Sequence, residues 1–342
     1  MAHSFLILLM VILFVFLFSF TNGFHDSSSQ VAAVITARTL SPESALVLAS
    51  LSTFLGAYFL GTRVAWTLGR EIFSFPLGGS PEKVLTALMS GIASAILWNF
   101  LTWRWGLPSS SSHALVGGLV GAFLAAYGIY SLEWEKIKTI FLVMFLSPLV
   151  GFGVTYPFTK LTFYIGQQGS LRLNQFFKVA QILSLVAQSL CYGSNDAQKG
   201  MGIIALALFV FLSGNKSNFS PENWIPQWVL FLSSFTLALG ILMGGWRLIR
   251  TLGRGLYPVK AMHGFASQTT SAALLYCASL FGYPLSSTQV VSASILGAGA
   301  AFRPKSVRWT VAGDLTLAWA VTIPVCAGVA ALAFKLLELI VL

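Results

Sequence analysis

The stretch Gly23–Asp26, which reads Gly-Phe-His-Asp, returns 170 residues later as Gly193–Asp196, which reads Gly-Ser-Asn-Asp. A second motif recurs in the same order: Pro108–His113 is a proline followed by four serines and a histidine, and Pro284–Gln289 reads Pro-Leu-Ser-Ser-Thr-Gln, 176 residues further on. Two motifs that recur in one order at nearly one offset indicate an internal repeat. Duplicated halves with helices interrupted at matching positions are typical of secondary transporters.

The repeat divides the chain into a first transmembrane half over 1–165 and a second over 179–342, joined by a short polar linker over 166–178. In each half we expect one helix to break beside the acidic motif and one helical hairpin to carry the hydroxyl motif at its tip. The predicted breaks and hairpins cover 23–30, 84–131, 193–200 and 264–302.

The charges that flank the two hairpins predict an inverted relation between the halves. The charges around 84–131 sum to zero, whereas those around 264–302 are all basic. Because Lys and Arg concentrate in cytoplasmic loops, we expect both ends of the second hairpin on the cytoplasmic side and those of the first on the outer side. The basic residues are Arg247, Arg250, Arg254, Lys260, Arg303, Lys305 and Arg308.

The composition places the chain in a lipid bilayer. Charged residues make up 9% of the 342 residues and hydrophobic residues 56%, with a mean hydropathy of +0.80, whereas soluble domains contain about 25% charged residues. Apolar runs of about 20 residues, enough to cross a core of about 30 Å, recur roughly ten to twelve times. We therefore expect an all-α polytopic membrane protein with about 10–12 transmembrane segments, including two re-entrant-type hairpins and two inverted repeats. This excludes a cytosolic enzyme, a disordered chain and a nucleic-acid binder.

The two aspartates of the acidic motif fall within apolar segments. A carboxylate there costs at least about 2.5–3.5 kcal/mol, so we expect Asp26 and Asp196 to face a cavity and to serve a function. An opened helix beside Gly23 or Gly193 would expose carbonyl groups that can hold Na⁺ together with the carboxylate, or the carboxylate can carry a proton. A plain helix cap is the alternative. The predicted site for a coupling cation consists of Asp26, Ser29, Asn195 and Asp196.

The hydroxyl motifs predict an anion site. A helix that starts behind a proline and a hydroxyl cap presents unpaired N–H groups, which bind oxyanions. Two such ends that meet near the midplane would bind one anion together, although ordinary capping explains either end alone. Lys199, at the start of the second predicted half-helix, can bind the anion or pair with an acid. The predicted anion-binding residues are Ser110, Ser111, Ser112, Ser286, Ser287, Thr288, Gln198 and Lys199.

With these motifs the chain resembles the PiT family of inorganic phosphate transporters, in its bacterial branch. The resemblance covers most of the chain and includes Asn22–Asp26, Pro108–His113, Gly193–Ile204, Pro284–Thr288 and Val307–Pro324. It implies an importer in the plasma (inner) membrane with inverted repeats and re-entrant hairpins, driven by H⁺ or Na⁺ and without another cofactor.

The resemblance also implies roles for individual residues. By it, the two aspartates handle the coupling cation, and members that use protons are thought to carry phosphate partly as a neutral complex with a divalent metal. Phosphate would meet the hydroxyl groups of Ser111, Ser112, Ser287 and Thr288.

One position departs from the family pattern. The first signature of the family usually reads Asp-Ala-Ala-Asn-Ala, whereas Asp26–Gln30 reads Asp-Ser-Ser-Ser-Gln. Ser29 replaces the asparagine, and Gln30 brings an amide one position later. A strong carbonyl ligand is lost, which leaves open whether Na⁺ or H⁺ is the coupling ion and whether sulfate is carried in place of phosphate.

Two other classes of function remain as alternatives. An anion channel would use the same helix ends without a titratable acid. An intramembrane hydrolase would need Ser112 and His113, yet no Gly-x-Ser-x-Gly motif occurs and Gln289 replaces the histidine in the second half. We predict no catalytic residue and no metal site. The expected partners are inorganic phosphate, the coupling cation and the lipid bilayer, with a homo-oligomer left open.

Overall fold

The computed structural model describes residues 2–74, 80–166, 171–212 and 225–341, and within these ranges the chain forms α-helices joined by short loops. The predicted all-α polytopic fold is confirmed. A π-helical turn, Thr67–Glu71, continues the third helix. The helices are α1 (Ala2–Thr36), α2 (Pro42–Phe59), α3 (Arg63–Trp66), α4 (Pro81–Trp105), α5 (Ser111–Tyr127), α6 (Trp134–Ile165), α7 (Leu171–Phe211), α8 (Gln227–Met243), α9 (Trp246–Gly255), α10 (Ala261–Phe281), α11 (Ser287–Phe302) and α12 (Trp309–Val341).

The described residues contain five helices that are long and apolar enough to cross a membrane, namely α1, α4, α6, α7 and α12. A sixth candidate is the pair formed by α2 and the stretch Arg63–Glu71, which meet at an angle of 66°. The apolar helices α5, α8 and α11 contain 16 or 17 residues and therefore rise only about 24–26 Å, less than a core of about 30 Å. The predicted number of 10–12 spans is not confirmed by this count.

Helix pairings in the first half have counterparts in the second. Helix α1 packs along α8, and α7 packs along α2. Helix α5 lies against α12, and α11 lies against α6. Within the halves, α4 contacts α1 and α5, and α10 contacts α7 and α11. The acidic motifs on α1 and α7 therefore lie at the centre of the molecule, where helices of both halves meet.

The predicted breaks at 23–30 and 193–200 are wrong, because α1 and α7 are helical throughout these segments. Polar residues occur within these helices without interrupting them. The hydroxyl groups of Ser27–Ser29 each donate to the carbonyl group three residues earlier, which satisfies them inside the apolar interior.

The glycines of the acidic motif serve helix packing. A Cβ atom on Gly23 would lie 2.1 Å from the carbonyl oxygen of Leu237 in α8. A Cβ atom on Gly193 would lie 2.1 Å from the carbonyl oxygen of Thr53 in α2. Both positions therefore need a residue without a side chain so that two backbones can approach.

The hydroxyl motifs cover the loops between α4 and α5 and between α10 and α11 together with the first turns of α5 and α11, inside the ranges predicted for the hairpins. The first helix of each pair ends at a glycine with positive φ, Gly106 (71°) or Gly282 (77°). The second helix begins behind Ser110 or Ser286, whose side-chain oxygen accepts from the N–H group three residues later. Ordinary N-capping therefore contributes at both tips.

The predicted polar linker over 166–178 is helical where the structure describes it beyond Gly166, because α7 begins at Leu171. Residues 167–170 of this segment lie outside the described residues.

Candidate functional site

The carboxylate of Asp26 in α1 accepts hydrogen bonds from the hydroxyl motif at the tip of the second hairpin, called here the second hydroxyl tip. The hydroxyl group of Ser287 donates to its Oδ2 at 3.0 Å, and that of Thr288 donates to its Oδ1 at 2.6 Å. Nδ1 of His25 lies 3.2 Å from Oδ1. All four side chains are buried. The acid predicted to bind a cation and two hydroxyl groups predicted to bind the anion therefore meet directly.

Asp196 of α7 is linked to the hydroxyl tip of the first half through Lys199. The ammonium nitrogen of Lys199 lies 2.5 Å from Oδ1 of Asp196 and donates to the hydroxyl oxygen of Ser112 at 2.5 Å and to the carbonyl oxygen of Leu285 at 2.9 Å. Asn22 also donates to Oδ1 of Asp196, at 3.3 Å. Both charged side chains are fully buried. Each acid is thus connected to the hydroxyl tip of the opposite half.

Asn195, a predicted cation ligand, is occupied with the loop of the second hairpin. Its Nδ2 donates to Ser279 Oγ at 3.1 Å and to the carbonyl oxygen of Tyr283 at 3.0 Å. Its Oδ1 accepts from the backbone N–H of Leu285 at 3.1 Å. The amide positions this loop against α7, and its oxygen is not directed at either acid.

Ser29, the other predicted cation ligand, contacts backbone and amide groups in place of a carboxylate. Its hydroxyl group donates to the carbonyl oxygen of Asp26 at 2.8 Å and accepts from Gln30 Nε2 at 3.2 Å. Oε1 of Gln30 in turn accepts from Gln188 at 3.3 Å and from Ser189 at 3.2 Å. The residues that depart from the family pattern therefore join α1 to α7, one turn beyond Asp26.

Gln198 is not part of the anion cluster in this conformation. Its Oε1 accepts from the backbone N–H groups of Val64 at 2.7 Å and Ala65 at 3.2 Å. Its amide nitrogen donates to the carbonyl oxygen of Ser194 in the preceding turn. Gln198 thus fixes the start of α3 against α7, immediately beside Lys199.

The remaining predicted anion ligands have separate environments. Ser286 acts as the N-cap of α11. The hydroxyl oxygen of Ser110 caps α5 and lies 2.6 Å from Nδ1 of His113. The hydroxyl group of Ser111 is buried and has no partner among the described residues. Ser111 is therefore available to a ligand at the same tip as Ser112.

The pairing on which a hydrolase would depend is not formed. The hydroxyl group of Ser112 donates to the carbonyl oxygen of Leu285 at 2.7 Å and accepts from Lys199. His113 instead lies beside Ser110 and, through Nε2, 3.4 Å from the amide nitrogen of Gln289. The neighbouring residues Ser112 and His113 thus face different groups.

Sequence reasoning did not assign His25 and Asn22 to this site. Nε2 of His25 lies 3.4 Å from Thr102 Oγ1 and 3.5 Å from Ser109 Oγ, and these two hydroxyl oxygens lie 2.9 Å apart. A line of polar groups therefore runs from Asp26 to the loop of the first hairpin. Two signals were present in the sequence: His25 and Asn22 stand near an intramembrane acid, and both belong to the family-like stretch Asn22–Asp26.

An open pocket of about 420 Å³ lies beside the end of α10. Its wall includes Arg63 and the ion pair between Lys136 and Glu71, whose Nζ and Oε2 atoms lie 2.5 Å apart. Phe281 and Gly282, at the end of the first helix of the second hairpin, also line it. The pocket thus brings Arg63 and a lysine–glutamate pair next to the hairpin whose hydroxyl groups contact Asp26.

The chain is similar in sequence and in fold to proteins described as phosphate transporters. The sequence model described as "Phosphate transporter family" matches residues 22–174 and 166–330. The "Probable low-affinity inorganic phosphate transporter" of Rhizobium meliloti (strain 1021) is 37% identical over 324 residues, which cover 94% of each chain. A protein of the same description from Bacillus subtilis (strain 168) is 34% identical over 334 residues, which cover 97% of each chain. The solved structure described as "The sodium-dependent phosphate transporter" has the same fold, with a TM-score of 0.86 at 23% identity, over 98% of this chain and 99% of that one.

Proposed function

Because the chain belongs to the phosphate transporter family, we propose that it imports inorganic phosphate by symport with a cation, H⁺ or Na⁺, through alternating access. It is a multi-pass membrane protein, and its bacterial relatives favour the plasma (inner) membrane as its location. One observation carries the proposal: the two hydroxyl groups of the second hairpin tip donate to the buried carboxylate of Asp26.

This contact makes the cation and the anion depend on each other. A hydroxyl group has one proton to donate, so Ser287 and Thr288 cannot donate to Asp26 and to phosphate at the same time. A proton or Na⁺ on Asp26 weakens the carboxylate as an acceptor and releases both hydroxyl groups. Cation binding then favours phosphate binding, and by reciprocity phosphate tightens cation binding by the same factor.

The released hydroxyl groups lie where an oxyanion is favoured. Ser287 and Thr288 form the first turn of α11, and Ser111 and Ser112 form the first turn of α5. Helix N-termini carry positive partial charge and free N–H groups. We therefore place phosphate between the two tips, with Ser111, Ser287 and Thr288 as donors. Ser112, which donates to the carbonyl oxygen of Leu285 in this conformation, would join them once that contact opens. The pocket beside α10 that contains Arg63 would be the approach from the outer side.

The same contacts hold the carrier in one conformation. The two predicted halves, 1–165 and 179–342, are tied together by Asp26 with the second tip and by Asp196 and Lys199 with the first. Loss of the Asp26 contacts frees the second hairpin to move relative to α1, which is the kind of two-state element that alternating access requires.

Uptake of radiolabelled phosphate into proteoliposomes tests the proposal. A Na⁺ gradient and a pH gradient are imposed in turn, with excess unlabelled sulfate or arsenate as competitors. We expect concentrative uptake under one gradient that arsenate blocks and sulfate does not. Block by sulfate would assign a different oxyanion, and purely downhill flux under both gradients would indicate a channel.

A further inference from the structure

The two buried acids have different partners. Asp26 accepts from two neutral hydroxyl groups, and His25 is the one basic side chain seen to contact it among the described residues. Asp196 is paired with the ammonium group of Lys199. On the premise of the proposed function, we propose that Lys199 is a built-in cation that occupies the counter-ion position of Asp196, so that only Asp26 takes up an exchangeable coupling cation.

Corresponding positions in the two motifs show this difference. Lys199 follows Asp196 by three residues, and Ser29 follows Asp26 by three residues. Residues three apart lie on the same side of a helix, so both can reach the acid one turn earlier. Lys199 contacts the carboxylate of its acid, whereas Ser29 donates to the backbone carbonyl of its acid. A fixed positive charge is thus present at one acid and absent at the other.

The groups around Lys199 are those that would otherwise bind a small metal cation. Its ammonium group contacts a carboxylate oxygen of Asp196, the hydroxyl oxygen of Ser112 and the backbone carbonyl oxygen of Leu285. Carboxylate, hydroxyl and carbonyl oxygens are hard donors, and carriers use such groups to coordinate Na⁺. An ammonium group has three protons, so each of these contacts uses one. Lys199 has no donor left for phosphate in this conformation.

The sequence allowed two roles for Lys199, which was counted among the predicted anion ligands but was also able to pair with an acid. The structure shows the pairing with an acid. Because the pair is fully buried and formally neutral, removal of either charge alone would leave the other uncompensated in a dry interior. The pair belongs to the protein and stays with it through the transport cycle. One exchangeable cation, bound at Asp26, is therefore transported with each phosphate.

Cation dependence of phosphate uptake in proteoliposomes tests this inference with the full-length chain. The coupling cation is the one identified by the gradient experiment, and the Hill coefficient, which cannot exceed the number of exchangeable sites, is the readout. We expect a Hill coefficient of about one for the parent protein. In Lys199→Gln we expect a value above one and about one additional charge moved per phosphate, because Asp196 then recruits a second cation.

Direct binding of phosphate by Lys199 would give a different result. Loss of a hydrogen bond from a charged donor would raise the phosphate KM of Lys199→Gln by about tenfold or more, with the Hill coefficient unchanged. That result would overturn the inference. Lys335→Gln is the matched control, because Lys335 is exposed on α12 and pairs with Glu338; its Hill coefficient and KM are expected to stay at the parent values.

A charge-neutral double variant covers the case in which Lys199→Gln does not fold. Asp196→Asn alone leaves the ammonium group unpaired, so we expect its uptake to be lost although the protein still inserts. Adding Lys199→Gln to Asp196→Asn should recover uptake relative to the single variant, again with a Hill coefficient near one. No recovery in a double variant that is inserted and monodisperse would contradict the inference.

Uptake measurements on the parent protein distinguish a failure of this inference from a failure of the proposed function. Absence of concentrative phosphate uptake by the parent under either gradient would reject the proposed function itself. Concentrative uptake with a Hill coefficient near two would leave phosphate symport intact and reject only the role of Lys199.

Discussion

Asp26 is the residue at which the proposed cation and anion meet. Its carboxylate accepts from Ser287 and Thr288, which belong to the other half of the chain. A carboxylate in this position controls whether two donors are available to a ligand. Substitutions here should therefore separate the binding of phosphate from its coupling to the cation.

In Asp26→Asn we expect concentrative uptake to be lost while exchange of internal for external phosphate persists. The amide keeps an acceptor oxygen for the hydroxyl groups, but it neither takes up a proton near neutral pH nor attracts Na⁺ as a carboxylate does. The measurement is net uptake and counterflow in the same proteoliposomes. Asp314→Asn is the control, because Asp314 is exposed on α12. Unimpaired uphill accumulation by Asp26→Asn would remove Asp26 from the coupling mechanism.

In Thr288→Val we expect the phosphate KM to rise by roughly tenfold, because a hydrogen bond to a charged partner contributes about 1.5–3 kcal/mol. Valine keeps the shape of the side chain and removes only the hydroxyl group. Thr316→Val is the control, since Thr316 is exposed and donates within α12. Equal KM values for the two variants would show that Thr288 does not bind phosphate.

The sequence predicted a cation site at the acids and an anion site at the hydroxyl groups, but not which acid contacts which hydroxyl group. Asp26 and Thr288 are 262 residues apart, and no local pattern states which hydroxyl group meets which acid. Lys199 was left with two roles because an ammonium group suits a phosphate as well as a carboxylate. The pairing with Asp196 is local, since the two residues lie one turn apart on α7; the contacts of the same ammonium group with Ser112 and Leu285 depend on the three-dimensional arrangement.

At the scale of elements, a glycine within an apolar helix can have two structural roles, and the composition alone does not distinguish them. Glycine both permits an opened helix and allows two backbones to approach. The sequence predicted an opened helix at Gly23 and Gly193. In the structure both glycines allow close packing instead, because each lies against a carbonyl group of a neighbouring helix. The hydroxyl-capped starts of α5 and α11 were easier to predict, since a proline and a serine at a helix start act locally.

Gly23→Ala should therefore destabilise the protein rather than rigidify a hinge. Its Cβ would meet backbone atoms of α8 that no rotamer change can move, and such overpacking costs about 1–3 kcal/mol. The measurement is the midpoint of thermal unfolding in detergent. Gly153→Ala in α6 is the matched control, because nothing lies within 4 Å of its added Cβ, and alanine favours a helix over glycine by about 1 kcal/mol. A lower midpoint for Gly153→Ala than for Gly23→Ala would contradict this account.

At the scale of the molecule, the distribution of charge predicts how the halves lie in the membrane. The flanks of the second hairpin are basic and those of the first are balanced, which favours a cytoplasmic position for the former. The pairings of helices across the halves recur in the same order, but they do not state which side faces the cytoplasm. Chemical labelling of residues that flank each hairpin can determine which side of the membrane they face.

Cysteine labelling in intact cells tests this orientation, in a background where the three native cysteines are replaced by serine. A membrane-impermeant maleimide added outside should label Lys138→Cys and not Lys305→Cys; both native side chains are exposed. After permeabilisation both should react, which confirms that each site is accessible. Labelling of Lys305→Cys in intact cells, or equal labelling of both, would reject the inverted arrangement.

The contacts between Asp26 in the first half and the hydroxyl groups of the second half also have a consequence for synthesis of the protein. Asp26 leaves the ribosome 261 residues before Ser287, which at about 5–20 residues per second corresponds to roughly 13–50 seconds of translation. During that time the first half is in the membrane with a carboxylate whose later hydroxyl partners do not yet exist. The insertion machinery must therefore shelter the acidic motif of α1 until the last hairpin emerges. A chain that stalls between the halves would present the quality-control proteases with an acid in the bilayer.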